Sequence, residues 1–165
     1  MPTLPWTTAK NPTQPAPAAA AAAGTAASGP VLDDAVLDGA VLDGTVQVMA
    51  SRFVLTSARH TAAMLSHALR IRRAMLRAPG AVGVSLIARP LRREYWTLSA
   101  WADQAALDAF VATPQHREAM RRLGPAMAES AFAFWTAPSD GPAPSWKEAR
   151  ERVAAAPVRR GRRQD

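Results

Sequence analysis

The sequence contains no cysteine, so disulfide bridges, thiolate zinc sites and cysteine nucleophiles are excluded. It also lacks an apolar run of the roughly 20 residues that a membrane-spanning helix needs. The alanine run at residues 18–23 is short and follows several prolines, which is typical of a linker. We therefore expect a cytoplasmic protein with no membrane partner.

Catalytic signatures with strict spacing are also absent from the sequence. It has no Gly-rich phosphate loop, no nucleophile motif and no pair of catalytic carboxylates. His60 and His67 share a predicted helix, but no third ligand residue accompanies them, so no metal site is expected. The sequence motifs therefore do not identify a reaction.

Acidic residues are few relative to arginine, and the formal net charge is +7. Clustered arginines can bind nucleic acid by neutralising phosphates. Here no recognition helix and no aromatic stacking platform accompanies them, so nucleic acid is not an expected partner. The arginines in question are Arg70, Arg72, Arg73, Arg77, Arg159, Arg160, Arg162 and Arg163.

The composition divides the chain into three parts. Residues 1–44 are rich in Pro and Ala and end in a Val-Leu-Asp repeat of five-residue period, so we expect a disordered tail and a flexible acidic linker. Residues 45–138 have the apolar patterning of one compact domain. Residues 139–165 contain the capping-box spacing Ser145-Trp146-Lys147-Glu148, which predicts a short helix before a basic tail.

Hydrophobic periodicity within residues 45–138 predicts the order strand, helix, strand, strand, helix, strand. Alternation of apolar residues marks strands at 46–55, 82–86, 95–101 and 128–136, and three- and four-residue spacing marks helices at 58–77, 104–112 and 114–123. This order is typical of an α+β, ferredoxin-like fold with a four-stranded antiparallel sheet.

Both faces of the predicted sheet are apolar. Val48 and Leu98 point to one face, while Met49, Tyr95 and Trp101 point to the other. The predicted helices cover only one of these faces, so the other needs a second cover. A second copy of the domain is the simplest supplier, and we expect a homodimer.

Three segments of this domain resemble the antibiotic biosynthesis monooxygenase family. They are Val48-Met49-Ala50-Ser51-Arg52-Phe53, Leu98-Ser99-Ala100-Trp101 and Leu107-x-x-Phe110…Thr113-Pro114-x-His116-x-x-Met120. Trp135 and the motif Pro144-x-Trp146-x-Glu148-Ala149 are similar to a spheroidene-monooxygenase-like branch of the superfamily. The resemblance implies a dimeric α+β barrel with a cleft between helices and sheet in each subunit.

The resemblance also implies several activities. Some members oxygenate aromatic polyketides without metal or flavin, others degrade haem, and others have no known activity. Haem-degrading members place an Asn on the first strand, a Trp at the end of the third and a His on the second helical segment. Trp101 matches, Ser51 replaces the Asn, and His116 lies about one turn early. We expect no cofactor, with haem left open as an alternative.

His116 and Trp101 are the candidate catalytic residues. His116 can act as an acid or a base because its ordinary pKa lies near neutrality, and Trp101 ends a strand where an aromatic ring can wall a cleft. The expected substrate-binding residues are Ser51, Arg52, Phe53, Tyr95, Thr97 and Ser99. Arg52 is costly at the centre of a strand unless an acidic partner, an anionic ligand or solvent at the rim compensates its charge.

Two functions of different class fit these residues. The first is a cofactor-independent monooxygenase acting on a small aromatic or polyene substrate. The second is a non-catalytic module of the same fold that binds a small apolar ligand or dimerises. Replacement of the Asn by Ser51 and the displacement of His116 favour the second; the family resemblance favours the first.

Overall fold

The computed structural model describes residues 3–9 and 44–161. The rest of the expected N-terminal tail, the Val-Leu-Asp repeat up to residue 43 and the last four residues of the basic tail lie outside the described residues. None of the described helices is long and apolar enough to cross a membrane.

Six strands of the described residues form one antiparallel sheet in the order β1-β3-β4-β2-β5-β6. The strands are β1 Thr3–Thr8, β2 Thr45–Leu55, β3 Ala81–Arg89, β4 Glu94–Trp101, β5 Met127–Pro138 and β6 Arg159–Arg160. The helices are α1 Thr61–Met75, α2 Gln104–Val111, α3 Pro114–Leu123 and α4 Trp146–Ala155.

The ferredoxin-like α+β order that the periodicity predicts is confirmed in β2, α1, β3, β4, the α2–α3 pair and β5. Local signals set the helix starts. Asp103 caps α2 by accepting a hydrogen bond from the Ala106 N–H at 2.7 Å, and Ser145 caps α4 by accepting one from the Glu148 N–H at 3.2 Å. The expected number of strands was wrong, because β1 and β6 extend the sheet at both edges.

Strand β1 falls in the segment that we expected to be disordered. It pairs with β3, whose edge would otherwise expose a row of unpaired backbone groups. Gly83 on β3 makes room for the indole of Trp6, since a Cβ at Gly83 would collide with that ring. The Arg72 guanidinium donates a hydrogen bond to the Thr7 hydroxyl at 2.5 Å and fastens the strand to α1. These contacts join residues that are distant in sequence, so composition alone does not reveal them.

Helices α1, α2 and α3 cover one face of the sheet. Two buried clusters hold this layer, one around Trp101 and Phe110 and the other around Leu55, Tyr95 and Leu123. Alternation along β2 and β4 places every second side chain in this layer, as the sequence predicts.

Helix α4 covers the opposite face, which we had assigned to a second subunit. Ala149 and Val153 of α4 are buried in the same cluster as Val48, Leu98 and Trp135. The chain therefore supplies the second cover itself over much of this face, because a short amphipathic helix after β5 folds back onto the sheet. Dimerisation remains a prediction from the family resemblance. An uncovered apolar face of the sheet no longer requires it, because α4 covers much of that face.

Trp146 holds α4 in place, so we predict that Trp146→Ala destabilises the fold. Its indole packs on the covered face, and its Nε1 donates a hydrogen bond to the Ser85 hydroxyl at 3.1 Å. Because Trp146 is only half-buried, we expect a loss of about 2–3 kcal/mol in the free energy of unfolding, below the usual range for a buried Trp. Urea denaturation measures this quantity.

Lys147→Ala is the matched control for that measurement. Lys147 is exposed on the same turn of α4, so its removal should change stability by less than about 0.5 kcal/mol. If the Trp146 variant unfolded at the same urea concentration as the Lys147 variant, α4 would not stabilise the sheet.

Candidate functional site

A cavity of about 720 Å³ lies between the sheet and helices α1–α3. Most of its lining is aliphatic or aromatic, from Met64, Leu65 and Ile71 of α1 to Phe53 and Phe132 of the sheet. The exposed side chains Leu4, Leu69, Val111 and Phe134 also line it, so the cavity opens to solvent through an apolar rim. Few polar groups converge in an otherwise apolar space, which is the usual composition of a small-molecule site.

Three rings form one wall of the cavity. Trp101 packs on Phe110 with ring centroids 5.1 Å apart, and Phe110 meets His116 edge-on at 5.6 Å. Trp101 is fully buried, and its Nε1 donates a hydrogen bond to the Ser99 hydroxyl at 3.1 Å. The one polar atom of Trp101 is therefore engaged within the protein, and its ring serves as a rigid back wall rather than as a group that transfers protons.

The start of α3 places His116 in the cavity. Thr113 caps this helix, its hydroxyl accepting a hydrogen bond from the backbone N–H of His116 at 3.3 Å, and Pro114 occupies the first helical position. His116 thus stands in the first turn of α3, with its ring against Phe110.

Burial lowers the pKa of His116 below its ordinary value, and interaction with the carbonyl of Val111 opposes this effect in part. The imidazole is therefore neutral near pH 7. A neutral imidazole carries one N–H and one nitrogen lone pair, so His116 can accept a proton.

Hydroxyl groups from two strands supply the remaining polarity that the sequence led us to expect. Ser51, Thr97 and Tyr95 all line the cavity, together with the expected ring of Phe53. The Tyr95 hydroxyl donates a hydrogen bond to the Thr61 hydroxyl at 3.1 Å and so ties the sheet to the start of α1. Ser51 and Thr97 face each other across β2 and β4.

Two expected substrate-binding residues do not line the cavity. Ser99 is completely buried, and its hydroxyl accepts the hydrogen bond from Trp101, so it positions the aromatic wall. Arg52 points to the opposite face of the sheet, since successive residues of a strand alternate and its neighbours Ser51 and Phe53 point into the cavity.

Acidic partners compensate the charge of Arg52. Its Nε lies 2.7 Å from Glu94 and its Nη1 lies 3.3 Å from Glu129, while Arg89 pairs with the other oxygen of Glu94 at 3.0 Å. Burial alone would raise the pKa of Glu94, but hydrogen bonds from Arg52 and Arg89 more than offset it and lower that pKa. Arg52 is therefore part of a structural ion-pair network.

Sequence reasoning missed part of the lining. Phe132 and Phe134 alternate on β5 and meet Ser51 and Met49 of β2 in register, so they extend the site toward its mouth. The alternation of Phe132 and Phe134 along the sequence predicts that both point to the same face of the sheet. Only the pairing of β5 with β2 shows that this face is the one that carries Ser51. His67 also lines the cavity, whereas His60 does not. Within the described ranges no three metal-ligating side chains cluster.

Comparisons with known proteins now bear on this geometry. Residues 48–122 match the family described as antibiotic biosynthesis monooxygenase. A comparison with curated proteins gives no match.

Solved structures share the fold at low sequence identity. A candidate antibiotic biosynthesis monooxygenase from Nitrosomonas europaea has a TM-score of 0.52 at 13% identity, covering 60% of this chain and 95% of that one. A protein from Shewanella oneidensis has a TM-score of 0.52 at 15% identity, covering 58% and 93%.

A candidate monooxygenase from Fusobacterium nucleatum has a TM-score of 0.51 at 9% identity and covers 56% of this chain. The match spans only 42% of that protein's length. The cavity residues from Ser51 to His116 all lie inside the family match. The cavity is therefore built largely from the part of the chain that is similar to the antibiotic biosynthesis monooxygenase family.

Proposed function

We propose that the protein is a cofactor-independent monooxygenase that oxygenates a small, electron-rich aromatic or polyene substrate. The observation that carries the proposal is the half-buried His116 in the wall of a large apolar cavity, where burial lowers its pKa. A substrate that reacts with O₂ once it is deprotonated needs little more from a protein than a dry pocket and one proton acceptor.

An activated CH₂ group, as in an anthrone, illustrates the proposed chemistry. His116 removes a proton from this carbon, and the resulting electron-rich anion reacts with O₂. One oxygen atom becomes the new C=O group, while the other leaves as water together with the two hydrogens of the CH₂ group. The carbon gives up four electrons and O₂ accepts four, so the reaction needs no added reductant.

Each wall of the cavity has a role in this proposal. The ring of Phe110, backed by Trp101, provides a flat surface on which an aromatic substrate packs at offset geometry. The hydroxyls of Ser51 and Thr97 can orient an oxygen substituent of the substrate.

We also propose kinship with the spheroidene-monooxygenase-like branch, whose motif residues Trp135 and Trp146 pack on the face covered by α4.

Oxygen consumption with a hydroxylated anthrone tests the proposal. We predict uptake faster than the protein-free blank, with one O₂ consumed per quinone formed. His116→Gln should lower kcat by a factor of about 10² to 10⁴, the usual contribution of a general base. His60→Gln is the matched control, because His60 lies outside the cavity and its removal should leave the rate unchanged.

This assay distinguishes the oxygenase from the non-catalytic binding module and tests whether His116 is the base. Uptake no faster than the blank, combined with quenching of tryptophan fluorescence by the anthrone, would identify a non-catalytic binding module. Uptake that survives His116→Gln would show that another group removes the proton.

The rate should depend on pH through the imidazole of His116. The neutral ring is the active base and burial lowers its pKa, so kcat/KM should stay level above about pH 6.5 and fall only at more acidic pH. Proton NMR of the three histidines, with His116→Gln for assignment, measures the pKa directly. An inflection above pH 7 would contradict the structure.

The same pKa shift has a consequence for stability. In the unfolded chain His116 has the ordinary His pKa, so it takes up a proton at a higher pH than in the folded protein. The contribution of neutral His116 to the free energy of unfolding is therefore fully present above about pH 6.5. It is lost as the pH falls through the lower pKa of the folded state.

Haem titration separates the proposal from haem degradation. Ser51, Trp101 and His116 line one cavity, but only Trp101 matches the haem-degrading members in both residue type and position. We predict no shift of the Soret band when haem is added to the protein. A shift that disappears in His116→Gln would instead assign His116 as an axial ligand.

A further inference from the structure

A second cavity of about 690 Å³ lies in the groove between α1 and α3, outside the apolar site. Four arginines line it: Arg70 and Arg73 from α1, Arg77 from the turn after α1, and Arg122 from α3. Thr113 and Gln115 add hydrogen-bonding groups at the start of α3. In contrast to the first cavity, this groove is strongly cationic.

The groove contains one carboxylate, Glu118, and that group is already engaged. Arg121 donates two hydrogen bonds to it at 2.8 Å, and Arg122 donates a third. These hydrogen bonds lower the pKa of Glu118 to about 2. Glu118 therefore stays ionised and is shared between two arginines of its own helix.

No acidic side chain among the described residues forms an ion pair with Arg70, Arg73 or Arg77. Arg70 and Arg73 are three residues apart on α1, where like charges repel and destabilise a helix, and Arg77 follows in the turn after the helix. The negative end of the helix dipole favours the charge of Arg73 in the last turn, but Arg70 precedes that turn. The fold gains little from this row of cations, whereas an anion in the groove would neutralise it.

The groove adjoins the apolar cavity. His67, Ile71, Phe110 and Ala119 line both spaces, so the two are separated by the thickness of single side chains. Phe110 is therefore one of the side chains that separate the groove from the apolar cavity. Because the two spaces share these four lining residues, a ligand that occupies the apolar cavity lies close to the groove.

We propose that the substrate is an amphiphilic anion, with an aromatic or polyene body in the apolar cavity and an acidic substituent held by Arg70, Arg73 and Arg77. A carboxylate or sulfonate accepts paired hydrogen bonds from guanidinium groups, which are stronger than bonds between neutral partners. This proposal rests on the proposed function for the reaction at the apolar end, but its test measures binding only.

Two pyrene derivatives of matched size provide the test. Pyrenebutyrate carries a carboxylate where pyrenebutanol carries an alcohol, and fluorescence titration gives the Kd of each. We expect the acid to bind about tenfold more tightly than the alcohol, and this advantage should shrink as salt is raised. The double variant Arg73→Gln/Arg77→Gln should weaken acid binding by about tenfold and leave alcohol binding within about twofold.

Arg92→Gln/Arg150→Gln is the control for net charge. Both arginines are exposed, line neither cavity and have no ion pair among the described residues. This variant loses the same charge and should retain the preference for the acid. Circular dichroism melting of both double variants shows whether each remains folded; all four positions are exposed, so we expect melting temperatures close to that of the unmodified chain.

Three results would overturn the proposal. The acid and the alcohol could bind equally well, or the two double variants could weaken acid binding to the same extent. The third is acid binding that does not displace the alcohol from the apolar cavity, since the groove would then hold anions on its own. A clear preference for the acid without any oxygen uptake would leave this proposal standing and overturn the oxygenase alone.

Discussion

The structure depends on a sheet whose two faces both exclude water. Apolar side chains alternate along β2, β4 and β5, so neither face can be left exposed without a large loss of hydrophobic stabilisation. Helices α1–α3 cover one face and α4 covers the other. The layer of helices α1–α3 leaves a cavity large enough for a ligand. Helix α4 instead packs directly on the sheet through Trp146, Ala149 and Val153. This asymmetry decides which face can hold a site.

The aromatic wall connects packing to chemistry. Ser99 fixes the indole of Trp101, Trp101 supports Phe110, and Phe110 packs against His116. The same burial that builds the wall lowers the pKa of His116. A residue of the back wall can therefore influence His116 through the rings between them.

The arginines of this chain serve two different purposes that composition cannot distinguish. Arg52 belongs to an ion-pair network on the sheet face opposite the cavity, with Glu94 and Glu129 as partners. Arg70, Arg73 and Arg77 lie in a groove whose one carboxylate, Glu118, is paired with Arg121 and Arg122. A net charge of +7 suggests a polyanionic partner, but the position of each guanidinium determines what it can bind.

Local sequence patterns were enough to predict the βαββαβ order, the helix caps at Asp103, Thr113 and Ser145, and the alternation of side chains between the two faces of the sheet, although Arg52 was wrongly expected in the site with Ser51 and Phe53. These features depend on neighbours within a few residues along the chain. The docking of Trp6 on Gly83, the packing of α4 on the open face of the sheet and the position of Phe132 beside Ser51 became apparent from the three-dimensional structure. Such contacts depend on which distant segments meet, and that is set by the packing of the whole chain rather than by local preference.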